Sequence, residues 1–310
     1  MAVAIGAGNI MGIAHEAVSG TYLAPTKFIP FITEDLKHIQ STVWRRPIRN
    51  SASLVGAVAG NSHVEGTITM ELLPDIIPYF LYVSRTVVVK TGVGPYVYTI
   101  TPAPLATPAR TMSISVKRNA EVMGYAGMVV GSFTLSIAAD GVLMVSMIVM
   151  GLTEATQIAL VAVWPTSVPF GSGMFTLEIP TATQVFDADK FEFDQQDNPT
   201  PNFRIKNTNA GPSFIAFGES VGGIKLERDF ANRADYDTFK ALTAQSIHFK
   251  ASNGVSAIFD LTCPVSIKDT YDIGTPSQSD LLRMSVTYKC AMDPTGIHYT
   301  IVVTTTESII

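Results

Sequence analysis

The chain is short of charge. Asp, Glu, Lys and Arg make up 15% of its 310 residues, against roughly 25% in typical soluble domains. A free monomer would have to cover much of its surface with Ala, Ser, Thr and Gly, so burial of that surface against copies of itself is the simpler reading. Basic residues are the scarcer sign. A formal net charge of −5 argues against a nucleic-acid-binding surface, which would be basic. There are only two cysteines, Cys263 and Cys290. They can pair if their strands are neighbours, but two thiols buried as small apolar groups is the favoured reading. The two tryptophans, Trp44 and Trp164, are poorly placed for the paired aromatic platform of a carbohydrate-binding protein. No apolar run approaches the roughly 20 residues of a membrane helix. The N-terminal MAVAIGAGNIMGIAHEA lacks the basic start and long apolar core of a signal peptide, so synthesis in the cytosol is expected.

Arrangements that carry chemistry are missing too. AIGAGNIMG places Gly6, Gly8 and Gly12 in a loose glycine pattern, but SGTYLAPT would break any following helix and no parallel α/β pattern comes after it. The stretch reads as a flexible arm. GNSHVEG sets Ser62 beside His63, and neighbours on a strand point to opposite faces. The histidines, His15, His38, His63, His248 and His298, are scattered without metal-ligand spacing. DADKFEFDQQD gathers Asp187, Asp189, Glu192, Asp194 and Asp197, yet lacks the glycine and terminal glutamate of a calcium loop. It reads as a charged strand face with Phe191 and Phe193 on the other side. No enzyme and no cofactor or metal is expected.

What is present is alternation. PYVYTIT (95–101), TMSISVK (111–117), SFTLSI (132–137), MFTLEI (174–179), KFEFD (190–194), NFRIKN (202–207), SIHFKAS (246–252), VSAIFDL (255–261) and LLRMSVTYKCA (281–291) have strand composition or period. GSFTLSIAADGVLMVSMIVMG (131–151) predicts a β-hairpin. Phe133, Leu135 and Ile137 form one face, Asp140-Gly141 the turn, with glycine supplying positive φ, and Val142 to Met150, with Met147 at its middle, an apolar return strand covered on both faces. Two short helices are expected within 72–83 and 232–244, the first limited by Pro78. The uncharged WPTSVPFGSG (164–173) marks a boundary. On each side of it the order strand, long segment, glycine-led strand, short helix and further strands is repeated, which suggests a tandem duplication. WRRPIRN (44–50) places Arg45, Arg46 and Arg49 beside Trp44. In an acidic chain these favour carboxylates of a neighbouring subunit, with a solvated loop and a phosphate patch as alternatives.

Residues 12–37, GIAHEAVSGTYLAPTKFIPFITEDLK, resemble the start of siphophage tail tube (major tail) proteins. The matching features are Ala14 and Glu16, Gly20 and Thr21, and the stretch from Pro25 to Pro30. The Arg-bearing segment, VEGTITMEL (64–72), and Tyr125 and Gly127 before VGSFTLSI follow in the family's order. The resemblance implies a mainly β fold of two tandem tail-tube-like β-sandwich or partly closed barrel domains, each with a short flanking helix. The expected domains are 1–163 with an N-terminal arm and 174–310, joined by the linker 164–173. It implies a structural virion protein of the phage tail, whose stacked rings conduct DNA during ejection. Trimeric rings of pseudo-six-fold symmetry are expected, hexameric rings being the alternative, with the 131–151 hairpin in the inner barrel wall. Implied partners are further copies, the terminator, distal tail and tape-measure proteins, and double-stranded DNA as non-specific cargo, with no membrane. A tail terminator or distal tail protein is the nearest alternative, and a self-assembling β-rich adhesin or carbohydrate-binding protein the alternative from another class.

Overall fold

A computed structural model of the chain describes residues 8–46, 54, 56–104, 110–119, 121–157, 160–204, 211–230, 233–274 and 282–308. Among the described residues strands hold 57% and helices 5%, a mainly β architecture as the alternating segments require. The order is β1 (Ile10–His15), β2 (Lys27–Ile29), β3 (Thr33–Glu34), β4 (Lys37–Arg45), β5 (Gly56–Glu71), α1 (Ile77–Tyr82), β6 (Thr86–Thr91), β7 (Tyr96–Pro102), β8 (Met112–Arg118), β9 (Glu121–Ala138), β10 (Met144–Gly151) and β11 (Thr153–Gln157). It continues with β12 (Phe175–Glu178), β13 (Ala188–Gln196), β14 (Thr200–Asn202), β15 (Phe214–Ala216), β16 (Val221–Asp229), α2 (Ala234–Lys240), β17 (Gln245–Ser252), β18 (Ile258–Ile273), β19 (Arg283–Ala291) and β20 (Thr300–Thr305).

Every pairing between these strands is antiparallel, and one sheet dominates. From edge to edge it runs through β3 and β4, then β5, β10, the second half of β9, β13, β16, β19 and the second half of β18. The first halves of β9 and β18 leave it at β-bulges, which bend a strand out of one sheet and into another. They join two flanking sheets, β2-β1-β8-β9-β11 and β12-β17-β18-β20-β7-β6. The large sheets are open, so a single chain forms no barrel. The core lies between the long sheet and its flanking layers. There Phe133 and Phe193 meet Tyr299, and the ring of Phe249 stacks between Phe191 and Phe175.

The two parts of the chain share a pairing scheme. The set β1, β4, β5, α1, β8, β9, β10, β11 corresponds in chain order to β12, β13, β16, α2, β17, β18, β19, β20. Within each set the same neighbours pair, giving the orders β1-β8-β9-β10-β5-β4 and β12-β17-β18-β19-β16-β13, with β11 on β9 and β20 on β18. The bulges coincide as well. Tyr125, Met128, Val130 and Ser132, which flank the two irregularities of β9, match Cys263, Ser266, Lys268 and Thr270 of β18, each at the same separation along the chain. The short strands β2 and β3, the hairpin β6–β7 and the small pair β14–β15 fall outside the correspondence. Two direct pairings cross residues 164–173, β9 with β13 and β7 with β20.

Several expectations need correction. From Ile10 the N-terminal stretch is not a flexible arm but β1, with Met11 and Ile13 fully buried. The segment carrying Trp44 is a long hairpin, β4 against β5, rather than a loop. NFRIKN contributes only Asn202 to a strand, and 205–210 lie outside the described residues. The hairpin of β9 and β10 forms as expected, but its connection spans 139–143 and Gly141 is not among the glycines at positive φ. Its return strand also alternates. Val145, Met147 and Val149 are buried, whereas Ile148 is 51% exposed. Sequence reading also missed β2, β6, β11, β15 and β20. Both helices form, and Pro78 sits in the first turn of α1, where a missing N–H costs nothing.

Candidate functional site

The pairing register defines the two faces of the long sheet, because directly opposed residues lie on the same side. One row crosses the whole sheet: Thr33, Thr69, Ser146, Thr134, Asp194, Gly223, Lys289 and Ile267. Its neighbours on that face include Glu71, Ser136, Glu192, Lys225, Glu227, Ser285 and Asp272. The face is made of small polar and charged side chains, with acids in excess. Several are tied to one another: Thr69 Oγ1 lies 3.3 Å from Ser146 Oγ, Thr134 donates to Asp194 at 2.9 Å, and Lys190–Glu192 and Lys225–Glu227 pair along their strands. The opposite face carries Phe133, Leu135, Ile137, Met147, Phe191 and Phe193, all buried. Of the hairpin residues singled out by sequence, these first four therefore point into the chain's own core. Asp140 and Gly141 sit in the connecting loop.

Among the described residues the sheet ends on two unpaired edges. At one, Asp35 donates its N–H to Thr67 of β5, so Leu36, His38 and Gln40 direct their backbone groups outward. At the other, Gly274 donates its N–H to the Arg283 carbonyl at the start of β19, so Tyr271 and Ile273 direct theirs outward. Beyond Gln40 the hairpin of β4 and β5 projects from the body. Thr42 to Arg45 and Ala57 to Ala59 are exposed on both faces, with Val43, Trp44 and Val58 each more than half exposed. Trp44 and Arg45 stand on this arm and Arg46 just past it; Arg49 lies outside the described residues.

Ordered polar clusters hold the fold together. The Glu16 carboxylate accepts from the Gly20 N–H (2.8 Å), the Gly127 N–H (2.8 Å), Thr111 Oγ1 (2.7 Å) and Ser113 Oγ (2.7 Å). Gly127 is required there: its φ is +70°, and a Cβ would fall 2.5 Å from Leu152 Cγ. Gly66 is required by closeness, since a Cβ would lie 2.7 Å from the Leu36 Cα. At the junction of β9 and β13, Gln195 Nε2 donates to Asp197 (3.0 Å) and Ser220 (2.7 Å), and its Oε1 lies 3.1 Å from His298 Nε2. Burial raises the Asp197 pKa and lowers that of His298. Ser220 bonds the acid, not the histidine, so this is not the base-activated geometry of a nucleophile. Asp197, expected on the charged face, is thus buried, while Asp187 and Asp189 pair with Arg228 and Arg283.

His248 lies between two carboxylates, Nδ1 3.1 Å from Glu178 and Nε2 2.9 Å from Asp260. Burial alone would lower its pKa, but the bonds to Asp260 and Glu178 raise it above the ordinary value. His63 lies 3.3 Å from Glu65 and edge-on to the ring of Phe203. Cys263 and Cys290 are both free, the first buried and the second half-buried. Among the described residues no three metal-ligating side chains come together, and no helix is long and apolar enough to cross a membrane.

The geometry on display is that of a surface for self-association: two bare strand edges, a projecting arm and a polar face running the width of the sheet. No curated protein matches the chain. The phage tail tube protein family model matches residues 6–290. The described part of that span contains the Glu16 cluster, both edges and nearly all of the long sheet, and the chain belongs to the phage tail tube protein family, a family of structural virion components of the tail.

Proposed function

We propose that the chain is a tail tube subunit made of two tail-tube units in tandem, 1–163 and 174–310, joined by 164–173. Three chains close a ring of pseudo-six-fold symmetry, and rings stack into the conduit through which DNA leaves the capsid. The observation that carries this reading is the recurrence of one pairing scheme, bulges included, in both parts of the chain. Such a recurrence is what a doubled unit would leave behind.

The dimensions agree. Eight strand positions at about 4.8 Å span about 38 Å of arc. Three chains then give a ring about 37 Å across between backbones, widened further by strand tilt. Six chains would double that bore. The face bearing Thr134, Ser146 and Asp194 lines the channel, and its acidic excess repels phosphates so that DNA passes without adhering. The 131–151 hairpin forms part of the wall. Trp44, Arg45, Arg46 and Arg49 make contacts with a neighbouring subunit or ring. Terminator, distal tail and tape-measure proteins are the remaining partners.

Native mass spectrometry of assembled rings, with electron microscopy of the same sample, tests the reading. Three chains per ring and stacked tubes are expected. Six chains per ring would overturn the tandem reading, and rings that never stack would favour a terminator or distal tail protein.

A further inference from the structure

The chain contains its own template for how two copies meet. Where the first unit abuts the second, β9 pairs with β13, Thr134 opposite Asp194 and Leu135 opposite Phe193. The strand equivalent to β9 in the second unit is β18, whose second half has no partner on its outer edge among the described residues. The strand equivalent to β13 in the first unit is the run β3 to β4, whose outer edge is also bare. The correspondence is fixed residue by residue through the shared bulge. The row Val130–Val149–Gly66–Leu36 in one unit matches Lys268–Tyr288–Ile224–Phe193 in the other.

Resting on the proposed tandem ring, we infer that copies join head to tail through the β18 edge at 269–272 and the β4 edge at 37–40 of the next copy, in the register of the internal junction. That register sets Tyr271 opposite His38 of the next copy, Asp269 opposite its Gln40 and Asp272 opposite its Lys37. Three independent features agree with it. The backbone groups point correctly: Tyr271 on one side and His38 and Gln40 on the other face outward, as do their equivalents at the internal seam, where Asp197 donates its N–H to Gly131. Burial differs as it should between a covered and an uncovered seam. Phe133, Leu135 and Gln195 are buried, whereas their equivalents Tyr271, Ile273 and His38 are wholly or partly exposed. Tyr271 also closes an aromatic group with Tyr236 and Phe239 at this open edge. Charge is complementary too. Asp272 and Lys37 are exposed, and neither makes an ion pair among the described residues. Each copy presents an acid where the next presents a lysine. At Leu36 the ladder stops, because its N–H is held by Glu34 and its carbonyl by Arg118 within the chain.

Residues 37 and 272 sit on opposite edges of the sheet, so any bond between them joins two chains. They form a pair without backbone hydrogen bonds, the kind whose side chains approach most closely. The Lys37→Cys, Asp272→Cys double variant, oxidised during assembly, is expected to give a cross-linked ladder ending at the ring size. The shifted pair Ile39→Cys with Asp272→Cys should give little. Charge reversal provides a second measurement. Lys37→Asp or Asp272→Lys alone should lower tube yield about tenfold or more, and the two together should restore it. Rings seen by microscopy without the 37–272 cross-link, or with equal cross-linking of the shifted pair, would overturn this seam while leaving the ring reading intact. A wild-type chain that stays monomeric would overturn both.

Discussion

A single carboxylate explains why separated motif residues belong together. Gly20 is a near neighbour of Glu16 but Thr111, Ser113 and Gly127 lie far along the chain, yet two backbone N–H groups and two hydroxyls converge on the Glu16 side chain. Glu16→Ala strands all four donors, at a cost of about 1–3 kcal/mol for each that water cannot reach. Denaturant unfolding of the monomer should show a loss of about 3 kcal/mol or more, whereas Glu307→Ala, which removes an exposed partner of Lys27, should change stability by less than about 1 kcal/mol. Met147 and Ile148 make a second contrast. Met147 is fully buried, so Met147→Asp should unfold the monomer, as an unpaired buried carboxylate costs at least several kcal/mol. Ile148 lies half exposed on the polar face, and Ile148→Asp should leave monomer stability within about 0.5 kcal/mol. The His248 clamp supplies a pH signature. Its folded pKa is raised, so its contribution is full below the ordinary value of 6.5 and fades as pH rises through the folded pKa. The Glu178 pKa is lowered, chiefly by the Ala182 N–H and His248, so its contribution is present above 4.5 and fades as pH falls through the folded value. The melting temperature should therefore decline on the alkaline side of pH 6.5, and His248→Gln should flatten that decline.

At the level of elements, the helices illustrate how context overrides local preference. α1 has no side-chain cap and no charge in its end turns, yet five of its six residues are buried and packing alone stabilises it. α2 has Asp235 and Asp237 in its first turn and Lys240 in its last, which suits the helix dipole, and it buries none of its residues. The arm of β4 and β5 is the converse of α1, a strand pair that nothing among the described residues covers. Its exposed Val43, Trp44 and Val58 would be a hazard in a monomer and become an asset in an assembly. Replacing Arg45, Arg46 and Arg49 together by Ala should leave the circular dichroism spectrum and monomer stability unchanged while suppressing tube growth. Normal tubes from this variant would remove the arm from the assembly.

At the scale of the molecule, low charge, open edges and a polar sheet face share one explanation in self-association. A tube wall built from these subunits carries fixed acids, Glu65, Glu192, Asp194 and Glu227 among them, so basic proteins and polyamines should bind assembled tubes more strongly than DNA does. Raising salt should weaken that binding steeply. Comparing retention of duplex DNA and of a polylysine on immobilised tubes measures it, and tight DNA retention would count against a slippery conduit.

The sequence by itself determined the mainly β class, the 131–151 hairpin and both helices, because each rests on local periodicity and turn chemistry. It also pointed to the family, through residues whose purpose becomes visible only in space, as with Glu16 and Gly127. Tertiary structure alone decided which strands are neighbours, since β1 finds β8, and β20 finds both β18 and β7, over separations no pattern encodes. It decided the fate of Asp197, whose burial depends on Gln195, Ser220 and His298 converging from different segments. And it decided that Val142 to Met150, apolar as written but for Ser146, has one face in the core and the other on the polar side of the sheet. Hydrophobicity is a property of the residue, but the side on which it meets water is set by the neighbouring strands.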